Sequence, residues 1–291
     1  MKKLSTIDEV RSALEPARRA GRCIGLVPTM GALHEGHRSL MQAARAECDD
    51  LVVSIFVNPT QFGPGEDYQR YPRDEEADLA ICREESVDAV FLPTADDMYP
   101  AGDATRVTVG KVTEGLCGPR RPGHFDGVAT VVAKLFNIVQ PHKSYFGQKD
   151  AQQAVVIRRM TRDLCWPMEI VVCPTVREPD GLALSSRNAY LTPEQRRQAC
   201  VLYRALRLAR ERIGADSCDT AELTAELGRL IEAAGPCEIE YIEVVDADTL
   251  EPRTVAHGRC LVALSVRIGP ARLIDNIIVD GPGVDRARAS H

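Results

Sequence analysis

Residues 51–57 read Leu-Val-Val-Ser-Ile-Phe-Val, an apolar and largely β-branched run with one serine inside it. An alternating strand would leave one face to water. This run leaves neither, so it specifies a strand buried on both sides, as in parallel sheets covered by helices. The flanking chain follows suit: a strand over 23–28, a turn at Thr29–Gly31, and a helix from about Gly36 to residue 47 with Leu40, Met41 and Ala44 on one face. A helix over 74–85 and a strand over 89–92 come next. Val128, Val131, Val132, Leu135, Phe136 and Val139 recur at helical spacing. A strand at 144–146, a helix at 151–163 and a strand at 168–173 complete the series. Alternating strands and helices imply crossover units, hence an α/β fold with a Rossmann-like, doubly wound parallel sheet. In such sheets ligands sit beyond the C-terminal ends of the strands.

The pattern changes near residue 177. Two helices are expected, one striped by Ala199, Leu202, Leu206, Ala209 and Ile213, the other opening at Asp219 with Glu222 three residues on. Strands near 237–245, 260–268 and 273–279 follow. Helices and then a run of strands predict a smaller α+β C-terminal domain with an antiparallel sheet. The expected division is 1–177 and 178–291, with the second domain acting as a lid and residues 281–291 as a frayed tail.

Charge and composition narrow the function classes. A net charge of −6 and 5% aromatic residues disfavour nucleic acid as a partner. No apolar run follows Lys2 and Lys3, and no stretch approaches the ~20 residues of a membrane span, so a cytoplasmic protein without membrane contact is expected. Ten cysteines include no Cys-x-x-Cys pair, which argues for free thiols used as core packing.

The segments after the strands carry the chemistry. Pro28–His37 places His34 and His37 three apart at a helix start, where unpaired N–H groups and the helix dipole attract phosphate; two surface histidines are the plain alternative. Asn58 and Gln61 follow the second strand, before a Gly/Pro loop over 59–67 that could close as a lid or be an ordinary polar loop. The charges from Arg73 to Asp78 read mostly as a solvated helix face. In Phe146–Gln153, Gly147 permits close backbone approach, Lys149 can neutralise phosphate and Gln153 lies about one turn into the next helix; a helix cap at Asp150 is the alternative. Ser185, Ser186 and Arg187 could clamp a polyphosphate, although that triplet is common by chance. GxxxxGK[ST], GxGxxG after a strand, and GxSxG are all absent.

Together, PTMGALHEGH, SIFVNPTQF, GHFDGVATVV, FGQKDAQQ and GLALSSRN resemble, in order and spacing, the pantoate–β-alanine ligase family of the nucleotidyltransferase superfamily whose hallmark is His-x-Gly-His. The resemblance implies an enzyme that makes pantothenate, AMP and pyrophosphate from pantoate, β-alanine and ATP through a pantoyl adenylate, with Mg²⁺ bridging the ATP phosphates. It implies that Met30, Gly31, Ala32, Leu33, His34, Glu35, Gly36 and His37 line the ATP site, with His34 and His37 on phosphate. It implies nucleotide contacts from Gly147, Gln148, Lys149, Asp150 and the Val176 backbone, and a clamp of Leu184, Ser185, Ser186 and Arg187. His34, His37, Lys149 and the Ser185–Arg187 triplet would be catalytic, while Asn58, Gln61 and Gln153 would hold pantoate. A homodimer is implied in the same way. Asp78 is left outside the site. Thr60, Leu184, Ala151 and Gln148 depart from the residues commonest in the family, which bears on pocket shape rather than reaction class. Another nucleotidyltransferase of the superfamily, or a non-catalytic nucleotide-binding regulator, is the competing reading.

Overall fold

The computed structural model describes residues 1–216 and 218–281; the expected frayed tail, beyond Gly281, lies outside the described residues. The chain divides into two compact units. The first holds 1–114, 118–148 and 156–176; the second holds 115–117, 149–155 and 177–291.

The elements of the first part are β1 (Lys2–Leu4), α1 (Ile7–Arg19), β2 (Ile24–Thr29), α2 (Glu35–Glu47), β3 (Asp50–Ile55), α3 (Glu75–Glu84), β4 (Ala89–Phe91), α4 (Ala95–Met98), α5 (His124–Val139), β5 (Lys143–Gly147), α6 (Ala151–Asp163) and β6 (Glu169–Cys173). Six strands pair in the order β1-β4-β3-β2-β5-β6, every pair parallel. Leu51, Val52 and Val53 of β3 are fully buried, as the opening run requires. The strand order reverses at β2, which pairs with β3 on one side and β5 on the other. That reversal is the topological switch point, where an open α/β sheet leaves a crevice for ligand. Both of the most chemically loaded segments leave the sheet there, after Thr29 and after Gly147.

The first 22 residues hold two elements absent from the sequence expectation. Pro16 obscures α1, yet Thr6 and Glu9 form a full capping box and Val10, Leu14 and Ala17 form its buried stripe. β1 is a three-residue edge strand beside β4. α5 starts at His124, earlier than its apolar stripe suggests, because Gly123 caps it in a left-handed conformation (φ 77°).

The later elements are α7 (Pro193–Ala199), α8 (Val201–Ala215), β7 (Cys218–Asp219), α9 (Thr220–Glu232), β8 (Glu238–Asp246), β9 (Val255–Ala256), β10 (Arg259–Ile268) and β11 (Ala271–Asp280). The first expected helix is two, α7 and α8, meeting at Cys200. Asp219 caps α9 by accepting the N–H of Glu222. The antiparallel sheet runs β11-β10-β8, and its inner face packs Val262, Leu264 and Ile277 with Leu206, Ile213, Leu227 and Ile231 of α8 and α9. The fold is thus α/β with a parallel sheet, plus a smaller antiparallel α+β part. No helix among the described residues is long and apolar enough to cross a membrane.

Candidate active site

After β2 the chain makes a turn that only particular residues tolerate. Gly31 (φ 84°) and Ala32 (φ 51°) are both left-handed. Glycine adopts this freely, whereas for alanine it costs about 1 kcal/mol. The turn is held by Asp78 of α3, whose Oδ2 accepts the Ala32 N–H at 3.0 Å and whose Oδ1 accepts the Leu33 N–H at 2.7 Å. A Cβ on Gly31 would stand 2.8 Å from Asp78 Oδ2, so glycine is also required by space. Asp78 is buried. Burial pushes its carboxyl above the ordinary aspartate value, with the Leu33 and Ala32 N–H groups pulling the other way. The expectation that residues 73–78 form a solvated face holds for Arg73 to Glu76 and fails at Asp78. The readable signal was its place on the apolar face of α3, shared with Leu79 and Cys82.

The turn delivers the two histidines to the start of α2. His34 is the N-cap and its Nδ1 accepts the Gly36 N–H at 3.1 Å. His37 Nδ1 accepts the His34 N–H at 3.2 Å, and the ring centroids are 4.2 Å apart. A neutral imidazole whose Nδ1 accepts carries its proton on Nε2, so this network assigns an Nε2–H donor to each ring. Gly36 is needed because a Cβ there would stand 2.8 Å from His34 Cε1. Leu33 is buried, and Glu35 pairs outward with Arg38 at 3.2 Å.

Beyond β3, Asn58 and Gln61 flank a 3₁₀ turn and are both buried. Asn58 Oδ1 accepts from Tyr99 OH at 2.8 Å and Thr60 Oγ1 at 2.9 Å. Its Nδ2 donates to Gly127 O and to Gln61 Oε1, each at 3.1 Å. With Gln61 Oε1 occupied, its Nε2 donates at 3.1 Å to Met30 Sδ, a weak acceptor that a stronger one would displace. His124 Nδ1 lies 2.8 Å from Gln61 O. Gly127 lets α5 approach this turn: a Cβ there would fall 2.3 Å from Thr60 O. The string GHFDGVATVV contains His124 and Gly127, but nothing in the sequence assigned them, or Tyr99, to the support of Asn58 and Gln61. The 59–67 loop is pinned by Glu66, which takes two hydrogen bonds from Arg121, at 2.7 and 2.6 Å.

Gly147 and Gln148 stand at the end of β5 in the first unit. Val176, half-buried, closes that unit. Lys149, Asp150 and Gln153 belong to the second. There Asn276 Nδ2 donates to Lys149 O at 2.9 Å. The neighbour of Gln153 has a structural task the sequence did not announce: Gln152 is buried, accepts from Cys117 N at 3.0 Å and donates to Gly115 O at 2.9 Å.

Leu184–Arg187 lie on a loop of the second unit whose base is fixed. Arg177 donates to both oxygens of buried Asp275, at 2.6 and 2.9 Å, and its guanidinium lies 4.0 Å from the Tyr203 ring centroid. Arg177 and Ala183 form an antiparallel bridge, and Asn188 Nδ2 donates to Ala183 O at 3.0 Å. Ser185 caps a 3₁₀ turn over Ser186–Tyr190 by accepting the Arg187 N–H. The structure therefore gathers Met30 to His37, Asn58 and Gln61 in the first unit, and sets Lys149–Gln153 and Leu184–Arg187 in the second.

Comparison with known proteins gives a consistent result. The sequence profile of the family described as pantoate-beta-alanine ligase matches residues 2–278. Pantothenate synthetase of Moorella thermoacetica is 56% identical over 280 residues, covering 96% of this chain and 99% of the relative. That of Pelotomaculum thermopropionicum is 54% identical, covering 94% and 98%. Among solved structures, pantothenate synthetase from Thermus thermophilus superposes with a TM-score of 0.90 at 50% identity, over 95% of this chain and 99% of that one. A pantoate-beta-alanine ligase from Francisella tularensis, complexed with beta-gamma ATP and beta-alanine, gives 0.79 at 37% identity, over 96% and 97%.

Proposed function

The chain belongs to the pantoate–β-alanine ligase family, an ATP-using, carbon–nitrogen bond-forming enzyme, and we propose that it joins pantoate to β-alanine over the His34/His37 turn. Pantoate carboxylate attacks the α-phosphorus of ATP, expelling pyrophosphate and leaving pantoyl adenylate. The β-alanine amine then attacks the acyl carbon, forming the amide of pantothenate and releasing AMP. Neither step needs a protein nucleophile; the work is positioning and charge neutralisation. The observation that carries this reading is that both Nδ1 atoms accept backbone N–H groups at the start of α2, which puts each ring's proton on Nε2, the donor we assign to phosphate. In this reading His34, His37 and Lys149 hold phosphate, Ser185, Ser186 and Arg187 close on it, and Asp150 and Val176 take the ribose and base. Gln61 Nε2 and Gln153 hold pantoate, with Asn58 keeping Gln61 in place.

Mg²⁺ is proposed to enter with ATP as part of the substrate. At the turn, each oxygen of Asp78 already accepts a backbone N–H group, which makes that carboxylate a brace of the loop. Among the described residues no cluster of three His, Cys, Asp or Glu side chains is placed to hold a metal. Residues 178–291 are read as the lid, the active form as a homodimer by family resemblance, and the cytoplasm as the compartment that supplies ATP and keeps the thiols reduced.

The test is pantoate-dependent release of pyrophosphate from Mg·ATP without β-alanine, in one enzyme equivalent, followed by AMP and pantothenate when β-alanine is added. A panel of other carboxylic acids releasing pyrophosphate while pantoate does not would overturn the assignment. Sedimentation at working concentration tests the dimer.

A further inference from the structure

Cys23 immediately precedes β2 and Cys48 immediately follows α2. Their Sγ atoms are 3.3 Å apart. The backbone around them is fixed: Cys23 O accepts the N–H groups of Asp49 (2.9 Å) and Asp50 (3.0 Å), and Cys23 N donates to Asp49 Oδ2 at 2.8 Å. The thiols differ in access, since Cys23 is half-buried and Cys48 is buried. Cys48 also has a route for its proton. Its Sγ is 3.4 Å from Tyr145 OH, and that hydroxyl donates at 3.0 Å to the Glu47 carboxylate, which is exposed and sits 2.8 Å from Lys143 Nζ.

We propose that Cys23 and Cys48 are a dithiol site that closes to an intrachain disulfide on meeting a small-molecule disulfide such as oxidised glutathione. The Cys23 proton passes to solvent, and its thiolate attacks one sulfur of the small disulfide, breaking that S–S bond and releasing one small thiolate, which takes a proton from water. Cys48 then loses its proton through Tyr145 and exposed Glu47 to water, and its thiolate attacks Cys23 Sγ, expelling the second small thiolate, which takes a proton from water. The two protein sulfurs together give up one electron pair, and the small disulfide accepts it. Burial first, and then the Cys48 thiol, push Cys23 up to about 11, with Lys143 opposing and Asp49 adding. Cys23 therefore rests as a thiol at neutral pH, and closure needs a supplied oxidant.

The two cysteines close the β2–α2–β3 crossover at its start, whereas His34 and His37 stand past the other end of β2. Closure removes freedom from the unfolded chain and leaves the phosphate turn in place. The expected effect is greater resistance to unfolding with turnover retained.

The experiment treats the full chain with oxidised glutathione at about pH 8.5, near the ordinary thiol pKa, then blocks remaining thiols under denaturing conditions and maps peptides without reduction. Exposed Cys165 reports that the oxidant has acted. The proposal expects a peptide linking Cys23 to Cys48, and a rise in melting temperature that dithiothreitol reverses and Cys23→Ser abolishes. Tyr145→Phe is expected to accumulate the mixed disulfide on Cys23. Glutathione on Cys165 with Cys23 and Cys48 both still blockable overturns the proposal, and so does a stable mixed disulfide on Cys23 of the unsubstituted protein. Closure of Tyr145→Phe at the unsubstituted rate overturns the proton route.

Discussion

His37 Nδ1 accepts the backbone N–H of His34, so one member of the histidine pair fixes the backbone of the other. A single ring thus holds the turn with one nitrogen and offers a proton with the other. The two tasks are separable by substitution. Asparagine can place an amide oxygen near the Nδ1 position but has nothing at Nε2. His37→Asn is expected to keep its melting temperature close to the unsubstituted protein while turnover falls roughly 10²-fold, the usual loss of one transition-state donor. His37→Ala is expected to lose turnover to the same degree and stability as well. Steady-state kinetics beside thermal melts distinguish the two, and near-normal turnover in either variant would remove His37 from the chemistry.

Asp78 holds the left-handed Ala32 by accepting two N–H groups. Asp78→Asn replaces one acceptor with a donor aimed at a backbone N–H. A cost of about 1–3 kcal/mol in folding is expected from the unsatisfied pair. KM for ATP is expected to rise about tenfold, while KM for pantoate stays put, because the pantoate contact proposed for Gln61 does not rest on this carboxylate. Denaturant titration and initial-rate kinetics check both parts.

Tyr99 donates to Asn58, and Asn58 donates to Gln61. Tyr99→Phe keeps the ring and removes one hydrogen bond of about 1 kcal/mol. The expected outcome is a several-fold rise in KM for pantoate with KM for ATP and kcat nearly unchanged. A parallel loss in both substrates would indicate general loosening instead.

Gly127 brings α5 against the 59–61 turn. Gly127→Ala sets a methyl against backbone that cannot rotate away. Destabilisation of about 1–3 kcal/mol is expected, measured by denaturant unfolding, together with weaker pantoate binding by calorimetry. Gly147→Ala is the contrast, because a Cβ there meets nothing within 4 Å and the fold is expected to be unaffected.

Glu66 gives the protein an acid-sensitive latch. Burial pushes its carboxyl up, but Arg121 bonds and charge outweigh this and leave it below the ordinary glutamate value of 4.5. A carboxyl lowered on folding contributes stability in full above its unfolded pKa and loses it as pH falls through the folded one. Unfolding free energy is therefore expected to drop below about pH 4.5. Glu66→Gln is expected to be less stable at neutral pH and to show a shallower acid limb. Identical acid limbs in the two proteins would count against the latch.

The parallel sheet was legible because β3 is mostly apolar and buried along nearly its whole length, with Ser54 inside the run, and α2 and α5 carry regular stripes; these patterns are local. The turn at the start of α2 was legible as a candidate because His34, Gly36 and His37 lie within four residues. What supports them was not. Asp78 reaches the turn from 46 residues away, hidden in a charge run, and Tyr99 reaches Asn58 across 41. Such contacts depend on which strands become neighbours, and sequence spacing carries no record of that. α1 is a different case: its cap and stripe are local and readable, Pro16 sits in its last turn, and the expectation above contained no such helix. Gln152 and Gln153 show a third limit, since adjacent identical residues differ only in the direction each side chain takes from the helix.

Gln61 has its backbone oxygen held by His124 and its amide oxygen by Asn58, which leaves the amide nitrogen against a thioether. In the reading proposed above, recognition of the acid at this wall therefore rests on the amide N–H groups of one side chain. An acid lacking an acceptor at that point gains nothing by fitting the space, and one with an acceptor there displaces only sulfur. If Gln61 holds pantoate as proposed, an acid without that acceptor is disfavoured by a missing hydrogen bond of about 1 kcal/mol, and the pocket selects by one side chain rather than by a polar cluster.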